Sequence, residues 1–145
     1  MENTKAPSSV TTNWRFDHIG IAVHNLDQAI RCYEGLFQTG HYGREVVPSQ
    51  GVEVAFLDVQ QGRIELLSAI REDSSVSKFL SKRGEGMHHT AYRVPSVRDE
   101  LERLAGLGWE LIHQEPIMGA HGKKIAFLHP KSAHGVLIEL CEKVN

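Results

Sequence analysis

The chain has little of what disulfide-rich, membrane-spanning and nucleic-acid-binding proteins require. Its only cysteines, Cys32 and Cys141, are too few and too far apart for a disulfide framework. It has no apolar run of about 18 residues, the length needed to span a membrane as a helix. Sixteen Lys and Arg against eighteen Asp and Glu leave none of the basic excess that favours nucleic acid. We therefore expect a reduced, cytoplasmic protein that binds neither membrane nor nucleic acid.

The length and composition fit one globular domain. The chain has 145 residues, of which 41% are hydrophobic and 23% are charged, as is usual for a domain with one core. The polar start of the chain lacks the apolar segment of a secretory signal. We predict an N-terminal tail over residues 1–13 and a single domain over residues 14–145.

An internal repeat organises the domain. The segment His18–Val23 has a counterpart in His89–Val94, and Ala-Phe-Leu at 55–57 recurs at 126–128, both at an offset of 71 residues. Ile-Glu-Leu at 64–66 recurs at 138–140, at an offset of 74. Three matches in the same order predict two modules, residues 14–70 and 86–145, joined by a connector over residues 71–85.

Each module has the pattern of a βαβββ unit. A strand that carries the repeated histidine comes first, and Asn25 or Ser96 then provides a cap for an amphipathic helix. Further strands of alternating or continuous apolar residues follow. Ser74 or Ser75 would cap a short helix in the connector. Because neither module buries enough apolar surface alone, we predict an α+β fold in which two tandem modules form one cupped, mixed β-sheet.

Two histidines and two glutamates occupy equivalent positions in the modules: His18 with Glu65, and His89 with Glu139. Each glutamate lies between apolar residues of a strand, and a carboxylate that faces inward there needs a partner. Imidazole and carboxylate without thiolate suit Mn, Fe, Co, Ni or Zn at an open site. The alternative is that the glutamates point outward and the histidines are ordinary surface residues. Four repeat-equivalent positions favour the metal site.

The other histidines and the lysines are weaker candidates. Neighbours on a strand face opposite ways, so only one of His88 and His89 should point into the cup. The repeat selects His89 and leaves His88 a supporting or packing role. The loop around His121 could cover a site or be an ordinary surface loop. Three lysines could meet an anionic ligand or simply be solvated: Lys123, Lys124 and Lys131.

These residues resemble the vicinal oxygen chelate superfamily, which includes glyoxalase I, and most of all its methylmalonyl-CoA epimerases. The likeness covers residues 16–142 and is carried by Asp17–Val23, Gly84–His89, Phe127–Lys131 and Gly135–Leu140. It implies that the four residues are metal ligands: His18, Glu65, His89 and Glu139. It further implies a divalent ion (Co, Mn, Ni or Zn), an acyl-CoA substrate and a homodimer.

The resemblance also implies the reaction. Epimerisation of methylmalonyl-CoA removes the C2 proton and returns one to the other face, through an enolate that a metal stabilises. We expect Glu139 to be the base, with Glu65 or a water on the opposite face. Some relatives carry a further glutamate at the position of Val54, whereas this chain has Glu53 one residue earlier. One residue of shift reverses the face of a strand, so Glu53 should not take that role.

Two other functions remain open at the level of sequence. A glyoxalase I-like lyase or isomerase would use the same metal and proton transfer on a thiol adduct. A non-catalytic protein would use the cup to hold a small ligand, but four converging metal ligands weigh against it. Turnover of a thiol adduct without turnover of acyl-CoA would select the first, and a lack of metal binding would favour the second.

Overall fold

The computed structural model describes residues 11–143, so residues 1–10 of the predicted tail lie outside the described residues. Eight strands and three helices follow in order: β1 (Arg15–Ala22), α1 (Leu26–Phe37), β2 (Arg44–Val47), β3 (Val52–Val59), β4 (Gly62–Ala69), α2 (Ser75–Arg83), β5 (Gly86–Arg93), α3 (Val97–Gly106), β6 (Ile117–Met118), β7 (Lys124–Leu128) and β8 (Ile138–Glu142). No helix in this part of the chain has the length and hydrophobicity to cross a membrane.

The strands form one mixed sheet whose two halves repeat each other. Its order is β2-β3-β4-β1-β5-β8-β7-β6. β1 pairs in parallel with β4, β5 pairs in parallel with β8, and β1 and β5 join the halves as antiparallel neighbours. Each half is a βαβββ module, and the predicted α+β fold is confirmed.

The helices begin at the predicted caps. The side chains of Asn25 and Ser96 accept hydrogen bonds from the backbone N–H three residues ahead, at 2.9 and 3.2 Å. Ser74 caps the connector helix in the same way, at 3.1 Å. α1 ends at Phe37, and its C-cap residue Gln38 adopts the left-handed conformation.

One face of the sheet packs on α1 and α3, and the opposite face carries buried polar residues beside an apolar cluster that includes Phe56 and Leu67. Leu66 of β4 is buried in the cluster with α1, and Leu140 of β8 is buried in the cluster with α3. Because successive strand residues face opposite sides, the preceding Glu65 and Glu139 face the concave side. The repeated Ile-Glu-Leu segments thus place two carboxylates in the cup.

Two β-bulges interrupt the pairing of β1 with β5. The register passes from Phe16 to His18 without pairing Asp17, and it likewise leaves His88 unpaired between Met87 and His89. A bulge re-aims the side chains around the extra residue. His88 and His89 are both buried and their Nδ1 atoms lie 2.9 Å apart, so the two neighbours do not face opposite ways as they would in a regular strand. As expected, His89 is the one that meets the other predicted ligands, whereas His88 lies behind it.

Gly20 makes room for His89 on the neighbouring strand. A Cβ at Gly20 would lie 2.2 Å from His89 Cε1, so the ring must move in Gly20→Ala. We expect this variant to lose about 1–3 kcal/mol of unfolding free energy by overpacking, measured by urea denaturation. The control is Gly35→Ala in α1, where nothing lies within 4 Å and alanine should add about 0.5–1 kcal/mol. A Gly20→Ala variant as stable as wild type would contradict this packing.

Candidate metal centre and active site

Three of the predicted ligands meet at the centre of the cup. His18 Nε2 lies 3.1 Å from His89 Nε2 and 3.3 Å from a Glu139 carboxylate oxygen. The other Glu139 oxygen is 3.8 Å from His89 Nε2. All three side chains are buried, and their ligand atoms lie within 4.8 Å of one another. β1, β5 and β8, three adjacent strands, therefore deliver two imidazoles and a carboxylate to one point.

These two imidazoles and the carboxylate have the chemistry of a cation-binding site. Two imidazole nitrogens that face each other at 3.1 Å repel unless a proton or a metal ion lies between their lone pairs. The buried Glu139 carboxylate beside them adds negative charge, which a divalent ion would offset. A set of imidazole and carboxylate donors suits a divalent transition metal.

Glu65, the fourth predicted ligand, lies against the other nitrogen of His18. Its Oε2 is 3.1 Å from His18 Nδ1, and Arg63 donates to the same carboxylate at 3.0 Å. Asp17 also accepts from His18 Nδ1, at 2.6 Å, and from Arg63, at 2.9 Å. Glu65 is thus next to the three-residue cluster, in a second group with Asp17 and His18.

Asp17 and Arg63 are site residues that were not predicted from the sequence. Arg63 precedes Glu65 by two residues in β4 and therefore shares its face, which is a signal that the sequence carries. Asp17 directly precedes His18 and would face away from it in a regular strand. The bulge in β1 turns it back, and that bulge depends on pairing between the two modules.

The charged groups shift one another's pKa values. Burial raises the pKa of Glu139 to about 7, although the charge of His18 opposes this. Burial alone would lower the pKa of His18, but the hydrogen bond to Asp17 and the charges of Glu65 and Glu139 raise it overall. Burial alone would raise the pKa of Asp17, but the hydrogen bond with His18 and the nearby cations hold this pKa well below its usual range. The carboxylates around His18 thus favour positive charge at this position, which either a proton or a bound cation would supply.

His88 contacts the outer nitrogen of His89. The two Nδ1 atoms are 2.9 Å apart, and the His88 ring packs edge-on against Phe79 of α2 with centroids 5.1 Å apart. Burial lowers the pKa of His88 to about 4, and it lowers that of His89 well below its usual value. A neutral pair results, in which one nitrogen donates and the other accepts.

Val54, not Glu53, faces the site. The pairing of β3 with both neighbours runs without a register shift. Val54 is buried and lines a small cavity with Glu65 and Glu139, whereas Glu53 is ion-paired with Arg44 at 3.1 Å. The expectation that Glu53 points away from the cup agrees with this geometry.

A loop closes the small cavity. The cavity has a volume of about 30 Å³, enough for an ion or a water but not for an acyl group. The loop at Ala120–Gly122 covers it, with the His121 ring stacked on Phe56 at 4.3 Å and the His121 N–H donating to Glu45. Lys123 follows and lies 3.9 Å from Asp17, so one of the three predicted lysines belongs to the site.

A larger cavity reaches the site from outside. Its volume is about 410 Å³, and both His88 and His89 line it. Three cations of α2 lie along it: Lys78, Lys82 and Arg83. A second cavity of about 240 Å³ shares His88 with it. The positive charge beside the site thus comes from the connector helix more than from Lys124 or Lys131.

Known proteins share this fold and much of this sequence. Residues 17–127 match the Glyoxalase/Bleomycin resistance protein/Dioxygenase superfamily. The uncharacterized protein YqjC of Bacillus subtilis is 41% identical over 128 residues, with 88% of this chain and 91% of that protein covered. The ethylmalonyl-CoA/methylmalonyl-CoA epimerase of Cereibacter sphaeroides is 36% identical over 128 residues, which are 87% of this chain and 96% of that protein.

A solved epimerase structure also has this fold. A variant of Streptomyces coelicolor methylmalonyl-CoA epimerase in complex with 2-nitronate-propionyl-CoA superimposes with a TM-score of 0.84 at 39% identity, and the match covers 90% of this chain and 94% of that one. The resemblance seen in the sequence is confirmed. The chain belongs to the Glyoxalase/Bleomycin resistance protein/Dioxygenase superfamily and, within it, to the methylmalonyl-CoA epimerase family of isomerases.

Proposed function

We propose that the protein epimerises methylmalonyl-CoA at C2 with a divalent metal ion. The observation that carries the proposal is the buried carboxylate of Glu139 beside the Nε2 atoms of His18 and His89, in a chain whose relatives include methylmalonyl-CoA epimerases. The direct test incubates metal-loaded protein with one C2 epimer and follows formation of the other by a stereospecific assay. Failure of both epimers to interconvert would overturn the proposal.

The metal ligands in this proposal are His18, His89 and Glu139, whose ligand atoms meet at one point. Glu65, the fourth predicted ligand, lies against the other nitrogen of His18 and is proposed to have a separate role. An ion held there would supply Lewis-acid stabilisation of the negative charge that develops on the substrate oxygens. The chain's own contribution is to orient the imidazoles. Asp17 accepts the Nδ1 proton of His18, which leaves Nε2 free to bind a cation.

Glu139 is proposed as the base that takes the C2 proton. It is buried at the floor of the cup on β8, and a general base acts only within hydrogen-bond reach of the proton. Because it sits beside the ligand nitrogens, a substrate whose oxygens meet the ion would place C2 close to it. The C2 proton is then transferred to the Glu139 carboxylate, where it can exchange with solvent before C2 is reprotonated.

Glu65 is proposed as the group on the opposite face of C2. It lines the same small cavity as Glu139 and comes from the other half of the sheet, where Val54 carries no acid. In Glu65→Gln, Glu139 should still exchange the C2 proton with solvent deuterium while inversion slows by about 10²-fold or more. The ratio of exchange to inversion, measured by mass spectrometry and a stereospecific assay, checks this. An unchanged ratio would remove Glu65 from the role and favour a water there.

The CoA arm is proposed to lie along the 410 Å³ cavity, since His89 lines it and three cations of α2 can meet phosphates. Replacing Lys78 and Lys82 together with alanine should raise KM roughly 3- to 10-fold and leave kcat unchanged. This corresponds to a loss of ~1 kcal/mol of substrate binding free energy, as expected for exposed ion pairs with phosphate. Steady-state kinetics measures this, with Lys143→Ala as the control. A drop in kcat at constant KM would place the arm elsewhere.

A further inference from the structure

The two bulged residues, Asp17 and His88, are equivalent in the internal repeat. Each directly precedes a proposed metal-binding histidine, and the two pairs are 71 positions apart. Each is the residue that the β1–β5 register leaves unpaired. Each also contacts Nδ1 of the histidine that follows it: Asp17 to His18 at 2.6 Å, and His88 to His89 at 2.9 Å. The two modules thus share this geometry at equivalent positions, but the group that contacts Nδ1 is a carboxylate in the first module and an imidazole in the second.

We propose that His88 is a positioning residue that accepts the Nδ1 proton of His89 and so presents His89 Nε2 to the metal. The proposal rests on the metal site proposed above. A neutral imidazole carries one proton, so Nε2 is a free ligand only when Nδ1 is protonated and has an acceptor. Among the described residues, His88 Nδ1 is the group that contacts His89 Nδ1. His88 must then carry its own proton on Nε2.

Packing holds both rings in this orientation. Phe79 of α2 meets the His88 ring edge-on at 5.1 Å, and Phe127 of β7 meets the His89 ring edge-on at 5.4 Å. Both histidines are buried, so water does not compete freely for the Nδ1 contact. Without the bulge, His88 would point to the opposite side of β5 and His89 would lose this acceptor.

The different groups suit the different surroundings. The carboxylate of Asp17 is paired with Arg63 at 2.9 Å and lies 3.9 Å from Lys123. His88 makes no ion pair within residues 11–143, and Phe79 packs against its ring. A carboxylate at position 88 would be desolvated against the Phe79 and His89 rings, which is costly unless a cation pairs with it. A neutral imidazole accepts the same proton without that cost.

The test measures Co²⁺ affinity and the visible Co²⁺ spectrum in the absence of substrate. In His88→Leu, which keeps apolar bulk but no acceptor, we expect a 10- to 100-fold loss of affinity, as is typical when a group that supports a ligand is removed. His88→Asn should restore most of it, because its side-chain oxygen takes the place of Nδ1. His88→Gln, whose polar atoms extend to the position of Nε2, should not.

Equal affinities in the asparagine and leucine variants would overturn the proposal, whether both were low or both were like wild type. A second measurement needs no variant. In the zinc-loaded wild type, ¹⁵N NMR of the imidazoles should show a protonated Nδ1 on His89, and an unprotonated Nδ1 would also overturn it. If wild type binds Co²⁺ as described but does not epimerise substrate, the proposed function fails and the role of His88 stands. If wild type binds no metal, both fail.

Discussion

Replacing Glu139 with glutamine should lower kcat for epimerisation by about 10²- to 10⁴-fold, the usual contribution of a general base. Glutamine keeps an oxygen that can face the metal but cannot take the C2 proton. The measurement pairs steady-state kinetics with the metal content of the purified variant. If Glu139→Gln keeps its metal but loses its activity, Glu139 acts as the base and not only as a metal ligand.

The matched control is Glu53→Gln. Glu53 is on the outer side of β3, ion-paired with Arg44, and its replacement should change kcat by less than about twofold, as expected for a surface group that does not touch the reaction. If Glu53→Gln lost activity and Glu139→Gln kept it, the acid–base assignment would be wrong. The strand β3 would then have to present Glu53 to the substrate.

Removing either of the two proposed metal-binding histidines should abolish metal binding and the stabilisation of the fold that a bound ion provides. In His18→Ala or His89→Ala, we expect activity to fall at least as far as in Glu139→Gln. Wild type should gain about 2.7 kcal/mol of unfolding free energy when free metal is at 100 times Kd, whereas the variants should gain almost none. Thermal unfolding with and without Co²⁺ measures this.

The control for this pair is His24→Ala, since His24 is exposed beyond the end of β1. It should bind Co²⁺ and be stabilised like wild type. Chelation of wild type should reproduce the loss of activity in the His18 and His89 variants, and added metal should reverse it. Full activity in rigorously metal-free protein would contradict the metal site.

The repeat made the fold and the cluster predictable. Equal spacing of His18 and His89, and of the two Ile-Glu-Leu segments, implied a pseudo-two-fold arrangement. The alternation of strand residues then placed Glu65 and Glu139 on the concave face opposite Leu66 and Leu140. Both inferences use only local periodicity and internal symmetry, which a single sequence contains.

The residues that orient the proposed ligands were harder to predict from the sequence. The roles of Asp17 and His88 depend on bulges between β1 and β5, and a bulge is set by pairing between distant segments. Glu65 was expected beside the other ligands, but its carboxylate lies against His18 Nδ1 and Arg63. Which nitrogen of His18 a carboxylate meets depends on ring orientation, and the sequence pattern carries no signal for that.

Exchange of the C2 proton with solvent distinguishes an acyl-CoA epimerase from a glyoxalase-type enzyme. Metal-loaded protein in deuterated water is given methylmalonyl-CoA in one sample and a thiol adduct of methylglyoxal in another. We expect fast deuterium incorporation at C2 with loss of stereochemical purity in the first sample and no turnover in the second. No exchange from fully metallated protein, together with turnover of the thiol adduct, would contradict the proposed epimerase function and point to a glyoxalase-type reaction.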